Sequence, residues 1–180
     1  MGVALLWRRR AIKAREYNRF TMPAAASSLK IGVISDTHDL LRPQARDALS
    51  GVAHILHAGD ICGDGVLTAL AEIAPVTAVR GNNDRGAWAR ALQTTALIEL
   101  GGCSIYMVHD LSDLDIEPGA AGVQAVISGH SHKPRIEERD GVLFVNPGSA
   151  GPRRFSLPVS IAFLEIVSGR ISARLQMLPI

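Results

Sequence analysis

The sequence predicts an α/β layered domain with a mixed sheet or two packed sheets. Early in the chain, short β-branched runs alternate with helical patterns, and later hairpin signals dominate. Nearly every predicted strand ends in a glycine or a side chain able to hold a metal ion. With 180 residues, 47% hydrophobic and 20% charged, the chain can bury one substantial core, which excludes a disordered chain or a coiled coil. Aromatics are 4%, so that core must be built mainly from Val, Ile, Leu and Ala.

Before Met22 there are six Arg or Lys residues and one acid, and after it thirteen bases and sixteen acids. The basic character therefore belongs to the first residues. The apolar Met1–Trp7 precedes the arginines, the reverse of a secretory signal. Residues 1–29 are expected to be a basic, disordered extension, with a start at Met22 or an organellar transit peptide as alternatives. Pro23–Ser28 reads as a small-residue linker. The domain is expected over 30–180.

Lys30–Ser35 is a short β-branched run and reads as a buried strand. Pro43–Leu49 fits a helix with proline near its first turn. His54–Ala58 is a second strand. Asp64 is placed to cap a helix over Val66–Ile73, with Pro75 just beyond its end. Val76–Val79 is a third strand. Thr95–Leu100 and Ser104–His109 flank Gly101–Cys103 as a hairpin. Val123–Ser128, Val142–Val145, Val159–Val167 and Ile171–Met177 complete the strands, with Ser168-Gly169 turning the last pair.

The strand ends carry the chemistry. They read Asp36-Thr-His38, Gly59-Asp60, Gly81-Asn82-Asn83-Asp84, His109-Asp110 and Gly129-His130-Ser131-His132. Ligands in open α/β sheets gather outside the carboxyl ends of strands. Five ends on one rim would bring together Asp36, His38, Asp60, Asn82, His109, His130 and His132. One transition metal takes four to six donors, so seven suit two ions with a shared carboxylate, a role Asp60 can fill. Each motif alone is ordinary turn chemistry; their ordered recurrence at strand ends is the signal. His54 and His57 fall in or before a strand and read as packing or supporting residues. Cys62 and Cys103 fit neither a disulfide framework nor a zinc ribbon and read as packing residues in a reducing compartment, here the cytoplasm. No run reaches the roughly 20 apolar residues of a membrane span.

This ordered set resembles the calcineurin-like metallophosphoesterases. The short chain and Asn146-Pro-Gly-Ser149 are similar to the small YfcE-type branch. The resemblance implies a four-layer α/β/β/α sandwich with mixed sheets and a dinuclear site. Asp36, His38 and His132 would hold one metal, Asn82, His109 and His130 the other, and Asp60 would bridge them. Mn²⁺ is the first expectation, with Fe, Ni²⁺ and Zn²⁺ compatible with the mixed donors. Two such ions about 3.5–4 Å apart can bridge a hydroxide and clamp a phosphoryl group for in-line attack. The implied activity is a divalent-metal-dependent phosphodiesterase acting on a small phosphoester.

Two positions depart from the family pattern. Asn83 stands where many members have a histidine assigned to protonate the leaving group, and an amide cannot be a general acid near neutral pH. Asp110 stands where a glycine is usual; it could orient His109 or be a solvated loop residue. Asn83 and Asp84 are the candidate catalytic side chains; if rates prove insensitive to the leaving group, another residue supplies the proton, and His57 and Asp84 are then the first candidates. Arg80, Arg85, Arg153 and Arg154 could meet phosphate. The alternative is a catalytically weak, metal-binding interaction scaffold of the same fold. The acidic body argues against a nucleic-acid partner, and assembly with a second copy stays open.

Overall fold

Strand order explains why the rim exists. The computed structural model describes residues 28–180. Most of the expected basic extension, including Met22, lies outside the described residues; Leu29 is already in the first strand. The first sheet holds β1 (Leu29–Ile34), β2 (His54–His57), β3 (Val76–Ala78), β9 (Ser160–Val167) and β10 (Arg170–Met177) in the order β10-β9-β1-β2-β3. The second holds β4 (Thr95–Leu100), β5 (Cys103–Val108), β6 (Ala125–Ile127), β7 (Arg135–Arg139) and β8 (Val142–Asn146) in the order β4-β5-β6-β8-β7. β1, β2 and β3 run parallel in the first sheet, and β5, β6 and β8 in the second. The other pairings are antiparallel, so both sheets are mixed.

The pleat sorts the apolar residues into layers. Ile31 and Val33 of β1 face the second sheet and pack with Ile105, Met107, Ile127 and Leu164 in the core between the sheets. Ile34 points the other way, with Ile55, against helices α1 (Pro43–Ala48) and α2 (Asp64–Ala71) and the neighbouring Leu49 and Ile61. The outer face of the second sheet buries Tyr106, Val108 and Val126 under Leu111, Leu114 and Ile116. There the covering layer is the 3₁₀ turn Leu111–Asp113 and its loop. The α/β sandwich implied by the resemblance is thus present, and its last layer is thin.

The two sequence-predicted hairpins form. Gly101 and Gly102 take φ of 58° and 78°, and Ser168 and Gly169 take 50° and 75°, the double positive φ that matches strand twist in two-residue turns. Two expectations fail. Asp64 does not cap α2; Gly63 is the N-cap, no side chain bonds there, and Asp64 is the first helical residue. β7 has no counterpart among the predicted strands. Its sequence, Arg-Ile-Glu-Glu-Arg, is mostly charged because it is an edge strand, where charge blocks pairing with another chain.

Candidate metal centre

The parallel strands all discharge at one rim, and the seven expected ligands meet there. Asp36 and His38 follow β1, Asp60 follows β2, Asn82 follows β3, His109 follows β5, and His130 and His132 follow β6. Gly81 and Gly129 allow the close approach: a β-carbon on Gly81 would collide with the Asp60 backbone, and one on Gly129 with Ser35 Oγ. Five ligands sit at positive φ, Asp36 at 54°, His38 at 45°, Asp60 at 53°, His130 at 63° and His132 at 57°. Such backbone costs about 1–3 kcal/mol per residue and gathers at functional sites.

The expected ligands form two groups around Asp60. In the first, His132 Nε2 stands 3.3 Å from Asp36 Oδ1, and the His38 and His132 rings stack at 5.4 Å. His38 Nε2 lies 3.7 Å from Asp60 Oδ2, with its Nδ1 3.5 Å from Cys62 Sγ. Among the described residues, three buried atoms here have no hydrogen-bond partner, namely Asp36 Oδ1, His38 Nε2 and His132 Nδ1. An unpaired buried polar atom costs about 1–3 kcal/mol and demands an explanation.

In the second group the donors face one another. Asn82 Oδ1 lies 3.0 Å from His109 Nε2 and 3.1 Å from His130 Nδ1, and Asp60 Oδ1 lies 3.4 Å from His109 Nε2. His109 Nδ1 meets the carbonyl of Ala58 at 2.7 Å and therefore donates to it. In the neutral ring that leaves Nε2 with a lone pair facing two oxygens, an arrangement a proton or a cation relieves. Asp36 also comes within ligand range of Asp60 and His109, so it borders both groups. The donors thus fit divalent ions: nitrogen and oxygen lone pairs converge from five strand ends on two adjacent points.

The electrostatics follow the burial. Asp36, completely buried, has its carboxyl raised to about 6 by desolvation, against hydrogen bonds from Ser35 and His130. Burial would also raise Asp60, but His109 and two hydrogen bonds from Asn83 hold it far below the usual carboxylate range. Burial lowers His38; burial, then the charges of His38 and Arg154, lowers His132 to about 4. Burial alone would lower His109, yet Asp60 and the Ala58 carbonyl raise it.

The other candidates fall into place beneath the ligands. Asn83 donates its backbone N–H to Asp60 Oδ1 at 2.8 Å and its amide to Oδ2 at 2.6 Å, so it grips the proposed bridge. Asp84 accepts from Cys62 N–H and Gly81 N–H, each at 2.7 Å, and so ties the two loops with both oxygens. His57 is completely buried; its Nδ1 accepts from Gly59 N–H at 3.2 Å and its Nε2 donates to Thr37 Oγ1 at 3.0 Å. Burial lowers His57 to about 3. Sealed, with both ring nitrogens bonded, it sits as a packing or supporting histidine would and has no path to the cleft for a proton. His54 bonds Thr77 Oγ1 at 2.8 Å, at the opposite end of β2. Cys103 is buried between the sheets, as expected, whereas Cys62 borders the site. Asp110 faces His130, not His109: its Oδ2 is 3.4 Å from His130 Nε2, and its Oδ1 accepts from Ser112 N–H at 2.9 Å.

A cleft of about 310 Å³ opens on the ligands and is lined by His38, Asp60, Asn83, His130, His132 and Arg154, among others. Of the four arginines, Arg154 alone lines it. A sixth strand end, after β8, also buttresses the site. Asn146 Nδ2 donates to Gly129 O at 2.6 Å, and Ser149 Oγ donates to Asp36 O at 2.9 Å. The same strand-end rule identifies this support, because Asn146-Pro-Gly-Ser149 follows a predicted strand.

Comparison with known proteins agrees with the geometry. The calcineurin-like phosphoesterase superfamily domain matches residues 29–169. A probable metallophosphoesterase of Methanothermobacter thermautotrophicus is 35% identical over 157 residues, covering 81% of this chain and 90% of the relative. Among solved structures, an archaeal phosphodiesterase superposes with TM-score 0.67 at 26% identity, over 82% of this chain and 99% of that one. Vacuolar protein sorting 29 from Cryptosporidium parvum superposes with TM-score 0.67 at 19% identity, over 83% and 97%, a likeness of fold alone. The chain belongs to the calcineurin-like phosphoesterase superfamily.

Proposed function

We propose that this phosphoesterase hydrolyses phosphodiesters with two divalent ions, held by Asp36, His38 and His132 on one side and Asn82, His109 and His130 on the other, with Asp60 between them. The observation that carries this reading is the set of buried, partnerless donor atoms on Asp36, His38 and His132. One ligating atom from each of these residues lies within 4.8 Å of the others, and a cation there would complete buried atoms such as Asp36 Oδ1 and His38 Nε2. Divalent ions supply Lewis-acid stabilisation of a phosphoryl group and a nucleophile at neutral pH. Mn²⁺ is the ion we favour.

The chain's own residues position and neutralise. Asn83 fixes Asp60 by both oxygens, and Arg154 adds positive charge to the cleft. Neither Asn83 nor Asp84 delivers a proton to a leaving group: the first is an amide on Asp60, the second is spent on backbone amides. Rates therefore depend steeply on leaving-group pKa. The test is a metal-stripped preparation supplied with Mn²⁺, Fe²⁺, Ni²⁺ or Zn²⁺ and bis(p-nitrophenyl) phosphate. Hydrolysis restored by an added ion is expected; none with any ion overturns the reading.

Two observations favour a second reading, a metal-binding interaction scaffold. The position expected to protonate the leaving group carries Asn83, bonded to Asp60, and the fold is shared with a vacuolar sorting protein. Ion binding without hydrolysis of any diester, together with capture of a defined protein partner, supports it.

A further inference from the structure

The segment after β8 is fixed at its base and free at its tip. At the base, Ala150 N–H donates to Ser35 O at 3.0 Å, Ser149 Oγ to Asp36 O at 2.9 Å, and Arg42 Nε to Gly151 O at 2.9 Å. Ser149, Ala150 and Gly151 are buried against the loop that carries Asp36 and His38. Beyond them residues 153–156 are exposed, and Leu157 N–H closes the turn on Arg154 O at 3.0 Å. The chain then re-enters β9, where Ser160 N–H donates to Ser149 O at 2.9 Å.

Phe155 at this tip is unexplained by packing. It is 94% exposed, joins no core cluster among the described residues, and holds φ at 52°. An aromatic residue in the left-handed region is an outlier that points towards function. It lines the same cleft as His38, Asp60, Asn83 and Arg154.

We propose that Arg154 and Phe155 form the substrate-recognition arm of this site, and that the substrate class is a phosphate ester carrying a planar ring. Arg154 meets the phosphate through its planar fork of N–H donors. Phe155 offers its exposed face to the ring, a contact indifferent to ring identity because every base or aryl group has a π-face. An alkyl chain fits less well, because among the described residues Phe155 and Leu157 are the sole large apolar side chains lining the cleft. The volume of about 310 Å³ suits a single nucleotide or aryl ester over a polymer. The inference rests on the phosphoesterase reading and deepens it.

The test is calorimetric binding to the full chain in Mn²⁺, using phosphonates, whose P–C bond is not hydrolysed. Methylphosphonate, hexylphosphonate, phenylphosphonate and the phosphonate analogue of AMP are compared. The ring-bearing ligands should bind about tenfold more tightly than either ringless one, the scale of a single stack. Phe155→Ala should erase that gap while leaving methylphosphonate unchanged, Phe155→Trp should keep it, and Arg154→Ala should weaken all four alike. With Phe155 almost wholly exposed, its removal leaves the fold intact. A gap that survives Phe155→Ala, hexylphosphonate matching phenylphosphonate, or no phosphonate binding at all overturns the proposal. A tighter AMP analogue assigns the ring to a nucleobase and a tighter phenylphosphonate to a simple aryl group; both uphold the arm. Turnover of bis(p-nitrophenyl) phosphate by the same preparation separates the two readings. Ring preference without turnover sinks the phosphodiesterase and keeps the arm; turnover without ring preference does the reverse.

Discussion

The two halves of the proposed metal centre use similar donors in opposite ways. Around Asp36, His38 and His132 the donors are largely buried and their free atoms have no partners. Around Asn82, His109 and His130 the donors meet each other, and the His130 side chain is 46% exposed. The first half is centred on the carboxylate of Asp36, which only borders the second, whereas the second adds a neutral amide to the shared Asp60. Binding an ion in the first half satisfies atoms that are otherwise orphaned. Binding one in the second half relieves the lone pair of His109 Nε2, but at a spot where His130 stays open to water, which competes for the ion. The proposed centre should therefore fill in order, first half tightly and second half loosely.

Breaking the element that both halves share has the largest effect. Asp60 sits 3.7 Å from His38 on one side and 3.4 Å from His109 on the other. Asp60→Asn should lower kcat/KM by well over the ~10–100-fold that a residue acting through a ligand typically costs, and should lower the content of both ions. Metal analysis alongside turnover checks it. Near-normal rates with two ions per chain would remove Asp60 from the bridge.

The order of filling is sharpened by one deletion on each side. Titration of the metal-stripped protein should show a tight and a weak step. His132→Ala should abolish the tight step, whereas His130→Ala should weaken the loose one and leave the tight one in place. If His130→Ala removes the tight step, the orphaned atoms do not mark the stronger site.

Much of this centre was legible in the sequence, for a physical reason. Parallel strands with buried faces read as short β-branched runs, so β1, β2 and β3 were visible, and with them the turns bearing Asp36, Asp60 and Asn82. β7 was hidden because an edge strand protects itself with charge, and that charge erases the apolar signal. Asp64 failed as a cap because Gly63 supplies the extended residue there. The positions of Asn83, Asp84 and His57 depend on which atom each side chain reaches across from one loop to another. Spacing along the chain carries no such information. Phe155 was invisible for the same reason: a single aromatic among arginines becomes notable once its backbone angle and exposure are seen.

Asp110 bears on the weaker half. Its carboxylate stands 3.4 Å from His130 Nε2, while the other ring nitrogen faces Asn82. A ligating histidine commonly donates its second N–H to such a carboxylate, which fixes ring orientation and raises basicity. Asp110→Asn should weaken the loose step by about 10-fold, with the tight step unmoved. Equal weakening of both steps would show a general charge effect and no positioning of His130.

The smallest effect is expected beneath the first half, at His57, and it should appear with pH. The ring is buried and neutral, with a pKa lowered to about 3 from an ordinary 6.5. Between these values the unfolded chain binds a proton that the folded chain excludes. Stability that His57 contributes near neutrality is therefore lost as pH falls from about 6.5 towards 3. Gln can imitate both hydrogen bonds, accepting from Gly59 N–H and donating to Thr37 Oγ1, without titrating. His57→Gln should leave activity near neutral pH close to normal, and should make the urea midpoint of the metal-stripped protein less sensitive to acid. His38, His54 and His132, also lowered by burial, keep part of the slope. A variant as acid-sensitive as the parent would show that His57 does not drive that loss. A large loss of activity at neutral pH would instead place His57 in a role that a glutamine cannot fill, and Thr37, between Asp36 and His38, would be the path by which it reaches the ligands.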